Sequence, residues 1–492
     1  MKKEKQMTTQ TVGASFRRFH TWNQINWLQC KKNTKRLQAR IVQAVKEGRW
    51  NKVKALQRLL TRSFSAKTMA VKRVTTNKGK HTPGVDGLVW LTSSERAQGI
   101  SSLRQRGYRP LPLRRVYIPK SDGSKRPLGI PTIKDRAMQA LYLMGLEPVA
   151  ETTGDHHSYG FRAYRSAADA VGQIFLTLST RRAPQWILEG DITKCFDEIN
   201  HDWLMDSISM EKSLLQKWLK SGYMEKKKLF PTNAGTPQGG IISPALANMT
   251  LDGLEDAITK RFGSKDSKKR RKSGVHIIRY ADDFIVTGKT KEVLETEVKP
   301  LIEEFLSQRG LTLSAKKTII THIERGFDFL GQTIRKYKNK LIITPSKKSM
   351  CRLLTRIRDM VRKNRAETQE KVIRTLSPQI RGWAYYHRWI CARKTFEKID
   401  NEIFQILWKW ATRRHPNKGL GWIKAKYFKV IGMRQWSFAT QIKKKGKIAW
   451  EKLFLATDIP IRRHKKIRGA ANPFDKEWYS YFANRQRRST FV

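Results

Sequence analysis

The chain has 492 residues, 39% of them hydrophobic and 10% aromatic, which excludes a disordered polymer and leaves room for several packed cores. It carries 100 Lys and Arg against 41 Asp and Glu, a formal net charge of +59. Self-repulsion on that scale calls for a polyanionic partner. Nucleic acid fits better than a membrane, because no stretch approaches the roughly 18 apolar residues of a spanning helix.

The basic start "MKKEKQ" runs into polar "MTTQTVG" instead of an apolar segment, so no secretion signal is expected and the cytoplasm is the expected compartment. Cys30, Cys195, Cys351 and Cys391 lie far apart and form no C-x-x-C. They read as four buried thiols in a reducing compartment, not as a disulfide framework or a zinc site. Residues 1–76 read as a basic helical extension. Ile25, Leu28, Leu37, Ile41 and Val45 recur at helical spacing in it, with Lys and Arg on the other face. "NKGKHTPGVDG" (77–87) breaks the pattern with Gly and Pro and is expected to be a loop. "RVYIPKSDGSKRPLGIP" (115–131) reads as two strands about an Asp-Gly turn ringed by cations.

From 186 to 332 strand-like and helical runs alternate, which predicts an α+β core. "HIIRYADDFIVTG" flanks Ala-Asp-Asp with β-formers, so Asp282 and Asp283 sit at or near a hairpin tip. Neighbouring carboxylates repel and need cations. Taken alone, the pair also fits salt-bridging turn residues. "WILEGDITKCFDEINHDWL" supplies a third acid, Asp191, at the end of an apolar strand. Acids at a strand end and on a hairpin suit a site that holds two Mg²⁺ for phosphoryl transfer, with the Ile192 carbonyl as a further oxygen ligand. Residues 331–492 change character, with 41 Lys and Arg against 10 Asp and Glu, and aromatic residues interleaved ("RGWAYYHRW", "LWKWATRRHP"). Such stretches predict helices with one packed and one cationic side.

"RYADDFIV", "GDITKCFDEINH", "AGTPQGGIISPALANMTLDGLE" and "FDFLGQTIRK" together resemble the reverse-transcriptase blocks of group II intron-encoded proteins. "TPGVDG", "VYIPKSDGSKRPLGIPTIKDRAMQAL" and "SYGFRAYRSAADAV" resemble their finger blocks, "GLTLSAKKT" the block before the thumb, and "LSPQIRGWAYYHRW" the maturase, or X, region. The blocks keep the family's order over almost the whole chain. The resemblance implies an α+β right-hand polymerase, with fingers and palm over 77–335. An all-α thumb/X maturase domain over 336–425 and a small basic helical DNA-binding region over 426–492 would follow. It also implies Asp191, Asp282 and Asp283 as metal-site acids, with Asp283 the less direct ligand. Phe196 would be the aromatic gate under the incoming sugar and Gln238 a contact to the nucleotide. Lys120, Lys125 or Arg126 would clamp the triphosphate, and Lys317 matches a lysine before the thumb.

The implied function is an RNA-dependent DNA polymerase using Mg²⁺ and dNTPs. It would bind its parent intron RNA, assist splicing as a maturase, and copy the intron from a primer at a DNA target. The final stretch "DIPIRRHKKIRGAANPFDKEWYSYFANRQRRSTFV" resembles the lead into the family's HNH endonuclease. With no cysteine after Cys391 and no histidine after His464, no such nuclease site and no bottom-strand cleavage are expected from these residues. His415 is expected on the surface between thumb and DNA-binding region. A domesticated or host-defence reverse transcriptase, and an RNA-binding splicing factor with a vestigial polymerase site, are the competing readings.

Overall fold

The computed structural model describes residues 21–119, 123–264, 267–444 and 447–490. Near the N-terminus, helices Trp27–Lys46, Trp50–Arg62 and Phe64–Thr76 pack against the long helix Ile133–Thr153. Leu37, Ile41, Leu56, Leu60, Val71 and Val74 fill the seam, the stripe that their spacing predicts. Leu28 is the exception at 80% exposed, because its position rotates away from that seam. The segment 77–92 contains no helix or strand, as its Gly and Pro residues require. Strands Leu113–Pro119 and Lys125–Ile130 pair antiparallel and form the hairpin expected of the fingers.

The centre is a four-stranded antiparallel sheet with spatial order His276–Tyr280, Asp283–Gly288, Trp186–Gly190, Ile319–His322. It is buried on both faces, which explains why its strands read as continuous apolar runs instead of alternating ones. Leu188, Ile277, Phe284 and Val286 point into a core shared with the fingers and the N-terminal helices. Ile187, Ile278 and Ile285 point into a second core shared with the C-terminal third. The sheet is therefore a wall between two cores, and its strand ends have little freedom.

The C-terminal third departs from the expected all-helical arrangement in two places. Residues 336–345 are not helical: strands Gln332–Tyr337 and Lys340–Pro345 form a hairpin, with Phe327–Phe329 as third strand. The helices begin only at Lys347, as Lys347–Lys363, Gln369–His387 and Arg393–Arg414. Beyond helix Leu420–Tyr427, the first part of the expected basic helical region is instead a three-stranded antiparallel sheet, Phe428–Ile431, Arg434–Lys444 and Lys447–Lys452, and an α-helix returns only at Tyr479–Thr490. Phe438 packs one face of it onto Tyr427 and Trp410, while Ile448 and Trp450 stay 69% and 44% exposed. Lysine-rich composition reads as helix, but tertiary packing of Phe428 and Phe438 decides for strand.

The remaining C-terminal segment returns to the body. Asp169, fully buried, accepts from His464 Nε2 (2.8 Å), the Ile467 amide (2.7 Å) and an Arg485 guanidinium nitrogen (2.9 Å). Lys46 reaches Asp475 at 2.6 Å. Two of the four thiols are buried, Cys30 and Cys195, whereas Cys351 and Cys391 are exposed. Cys351 lies on the solvent flank of its helix, opposite Leu353, Leu354 and Ile357, and Cys391 sits in a turn whose amide bonds the Ile343 carbonyl.

Candidate active site

The register of the central sheet brings the acids together. Gly190 pairs with Phe284, and Tyr280 pairs with Asp283 across a two-residue turn of Ala281 and Asp282. Asp191, one residue past its strand, therefore stands beside the hairpin tip. Gly190 allows this approach: a Cβ there would lie 2.2 Å from the Phe284 ring. Ala281 adopts φ 59°, which turns the chain and aims Asp282 inward.

Asp191 and Asp282 line one cavity of about 640 Å³, together with Ile192, Phe196, Gln238, Lys317, Lys125 and Arg126. Asp283 is exposed and does not line it. Lys120 lies outside the described residues. Lys317 donates to Asp191 (Nζ to Oδ2, 2.9 Å), and this hydrogen bond raises the lysine's pKa. Burial raises the Asp282 carboxyl above the usual carboxylate range, and nearby Asp191 adds to it. Asp283, open to solvent on its outer edge but desolvated on the side packed against the hairpin, is pushed up to about 6, with Asp282 and Asp191 adding to the shift. Burial also pushes the Cys195 thiol up to about 12, which keeps it protonated beneath the acids.

Among the described residues, no three His, Cys, Asp or Glu side chains are drawn close enough to form a ready-made metal cage. The donor set nevertheless fits a hard divalent cation: two converging, mutually repelling carboxylates, balanced in part by the Lys317 ammonium. The backbone bridge between Ile192 and Leu313 is closed by the Ser314 amide on Asp191 O (2.8 Å) and the Thr193 amide on Thr312 O (3.0 Å). That leaves the Ile192 carbonyl outside the bridge. Phe196 sits in the short helix Cys195–Glu198, fixed where its carbonyl accepts from the Thr236 amide (2.6 Å). Gln238 is fastened to the fingers hairpin through the Gly129 amide on its carbonyl (2.7 Å).

Beneath the hairpin lies a device that sequence reading missed. Arg279, 2% exposed, spans from Asp252 Oδ1 (2.5 Å) to Asp155 Oδ2 (3.9 Å) and Asn248 Oδ1 (3.2 Å). Burial, opposed by Arg279, pushes Asp155 up to about 7. The signal was present, since an arginine inside an otherwise apolar strand must find buried partners. His415 bonds the Tyr427 hydroxyl (2.8 Å) and packs on Trp422, where helix Arg393–Arg414 passes into helix Leu420–Tyr427.

Residues 118–334 match the family "Reverse transcriptase (RNA-dependent DNA polymerase)", residues 22–103 the "N-terminal domain of reverse transcriptase", and residues 350–428 the "Group II intron, maturase-specific domain". Protein YkfC of Escherichia coli (strain K12) is 34% identical over 325 residues, covering 58% of this chain and 84% of that protein. The group II intron-encoded protein LtrA of Lactococcus lactis subsp. cremoris is 31% identical over 328 residues, covering 54% of each. The chain belongs to the group II intron-encoded reverse transcriptase and maturase family. Its enzyme class is RNA-directed DNA polymerase. The chain spans about half the length of LtrA. Among solved structures, telomerase from Candida albicans is similar at 12% identity with a TM-score of 0.36, over 66% of this chain and 65% of that one. Among the described residues, no helix is long and apolar enough to cross a membrane.

Proposed function

We propose that this chain copies RNA into DNA, that its RNA partner is a group II intron whose splicing it assists, and that it copies that intron from a primer at a DNA target during intron mobility. The observation that carries the polymerase reading is the convergence of Asp191 and Asp282 in one cavity with Phe196, Gln238 and the finger cations Lys125 and Arg126. Asp191, Asp282 and the Ile192 carbonyl are the groups that would hold Mg²⁺, with Asp283 supporting from outside. A bound pair of ions would lower the pKa of an attacking hydroxyl and neutralise the departing pyrophosphate. Lys125 and Arg126 hold the triphosphate from the fingers side, Arg126 by a two-pronged contact. Phe196 presents an apolar edge where a 2′-hydroxyl would find no partner. Lys317 partly neutralises Asp191.

The RNA-binding part of the reading is supported by a groove of about 730 Å³ on the thumb, lined by Arg358, Arg362, Arg365, Lys409 and Arg413. Cations spread over helix faces recognise the shape and phosphates of a folded RNA better than base edges. Primer extension on an RNA template with Mg²⁺, comparing the natural chain with Asp282→Ala plus Asp283→Ala, tests the polymerase reading. Extension by the natural chain and its loss in the variant are expected. Equal extension by both would end the assignment.

A further inference from the structure

Phe161 is an aromatic of the cavity wall that neither the metal chemistry nor the sugar gate uses. Its position is fixed from the catalytic hairpin itself. The Arg279 amide donates to the His157 carbonyl and the Tyr159 amide to the Arg279 carbonyl, both at 2.9 Å. Gly160 then lies so close to the turn that a Cβ on it would stand 2.3 Å from the Ala281 nitrogen. Asn248 Nδ2 holds the Gly160 carbonyl at 2.8 Å, and the residue after Phe161, Arg162, is buried against Glu151 at 2.8 Å. Between these anchors Phe161 adopts φ 57°, a left-handed conformation that costs a bulky side chain on the order of 1 kcal/mol or more.

Burial does not offset that cost, because the ring is 58% exposed. It stands in the wall of the catalytic cavity with Asp282 and Gln238, and it also borders a neighbouring cavity of about 240 Å³. Its ring meets Phe196 edge-on, with centroids 6.3 Å apart and planes at 79°. Two aromatic rings at nearly a right angle, beside a metal-site acid and facing triphosphate-side cations, make an apolar corner of a size suited to a sugar. We propose that Phe161 is the second wall of the nucleotide pocket, packing on the deoxyribose of the incoming 2′-deoxynucleoside triphosphate and sharing sugar selection with Phe196. The corner accepts the C2′ methylene and leaves a 2′-hydroxyl desolvated without a partner. This assignment rests on the polymerase reading above.

Single-nucleotide incorporation by the full chain on a primer annealed to RNA, with a dNTP and its matching rNTP, provides the test. Phe161→Ala is expected to raise KM for the dNTP about tenfold with kcat nearly unchanged, the size of effect expected when a pocket loses an apolar wall. Its preference for dNTP over rNTP should fall, and the affinity for primer and template should stay the same. An unchanged KM, or weakened primer–template affinity with unchanged KM, overturns the assignment; the latter would place the ring against the duplex. Should Phe161→Ala lose its cooperative melt, Phe161→Leu decides by the same two readings. Failure of the natural chain to incorporate any nucleotide is a different failure, that of the polymerase reading itself.

Discussion

In the hairpin that carries Asp282 and Asp283 the charges are acidic, few and held from below. Asp282 turns inward from a two-residue turn, its strands are buried on both faces, and Arg279 ties the hairpin to Asp252 and Asp155. In the groove beside helices Lys347–Lys363 and Arg393–Arg414 the charges are basic, numerous and exposed. Arg358, Arg362, Arg365, Lys409 and Arg413 project from two helices and a loop, with Glu402 paired to Arg358 and Asp359 to Arg362. Catalysis requires a few charges at fixed coordinates, and a fixed position is costly to remove. Binding a polyanion requires many charges at approximate coordinates, and each can be removed at small cost.

Removing the inward acid should cause the largest change. Asp282→Ala is expected to lower primer extension on the order of 10²–10³-fold, as for other losses of a group that serves transition-state charge. A rate measured under single-turnover conditions checks it. Next comes the support: Arg279→Met leaves Asp252 and Asp155 without their buried cation and should cost about 3–5 kcal/mol of stability. Chemical denaturation measures this, and Asp252→Asn in the same background should recover part of the loss. If Arg279→Met were neutral, the hairpin would not depend on its buried anchor. In the groove, replacing Arg362, Lys409 and Arg413 by Gln should reduce the slope of log affinity against log salt by about 0.9 for each duplex phosphate that is no longer neutralised. Extension of a short primer at saturating template should hardly change.

The smallest expected effect is a pH effect on the strand that carries Asp191. Burial pushes Glu189 up to about 7. A carboxyl raised in the folded state contributes stability below its unfolded pKa and loses it as pH rises through about 7. Glu189→Gln should therefore melt higher than the natural chain at pH 8, by on the order of 1–2 kcal/mol, with the difference gone near pH 4. Thermal melts across that range check the sign.

The same contrast explains what could be read from the sequence. The hairpin was legible because strand composition and turn position are local properties: "HIIRY" and "DFIVTG" are β-formers, and Ala-Asp falls between them. Asp191 was legible as an acid at a strand end. Its ion pair with Lys317 was not, since 126 residues separate the two. Phe161 gave no local sign, because its exposure and φ are imposed by Gly160 against Ala281. The C-terminal sheet was misread as helix for a related reason. Its lysines favour helix, and the packing of Phe428 and Phe438 on Trp408, Trp410 and Tyr427 overrides them.

The separation of a fixed acidic floor from a distributed basic surface is tested most directly by measuring RNA affinity and primer extension on the same Asp282→Ala protein. The account predicts an affinity and salt slope equal to those of the natural chain, with extension lowered on the order of 10²–10³-fold. A parallel loss of affinity and extension would contradict it.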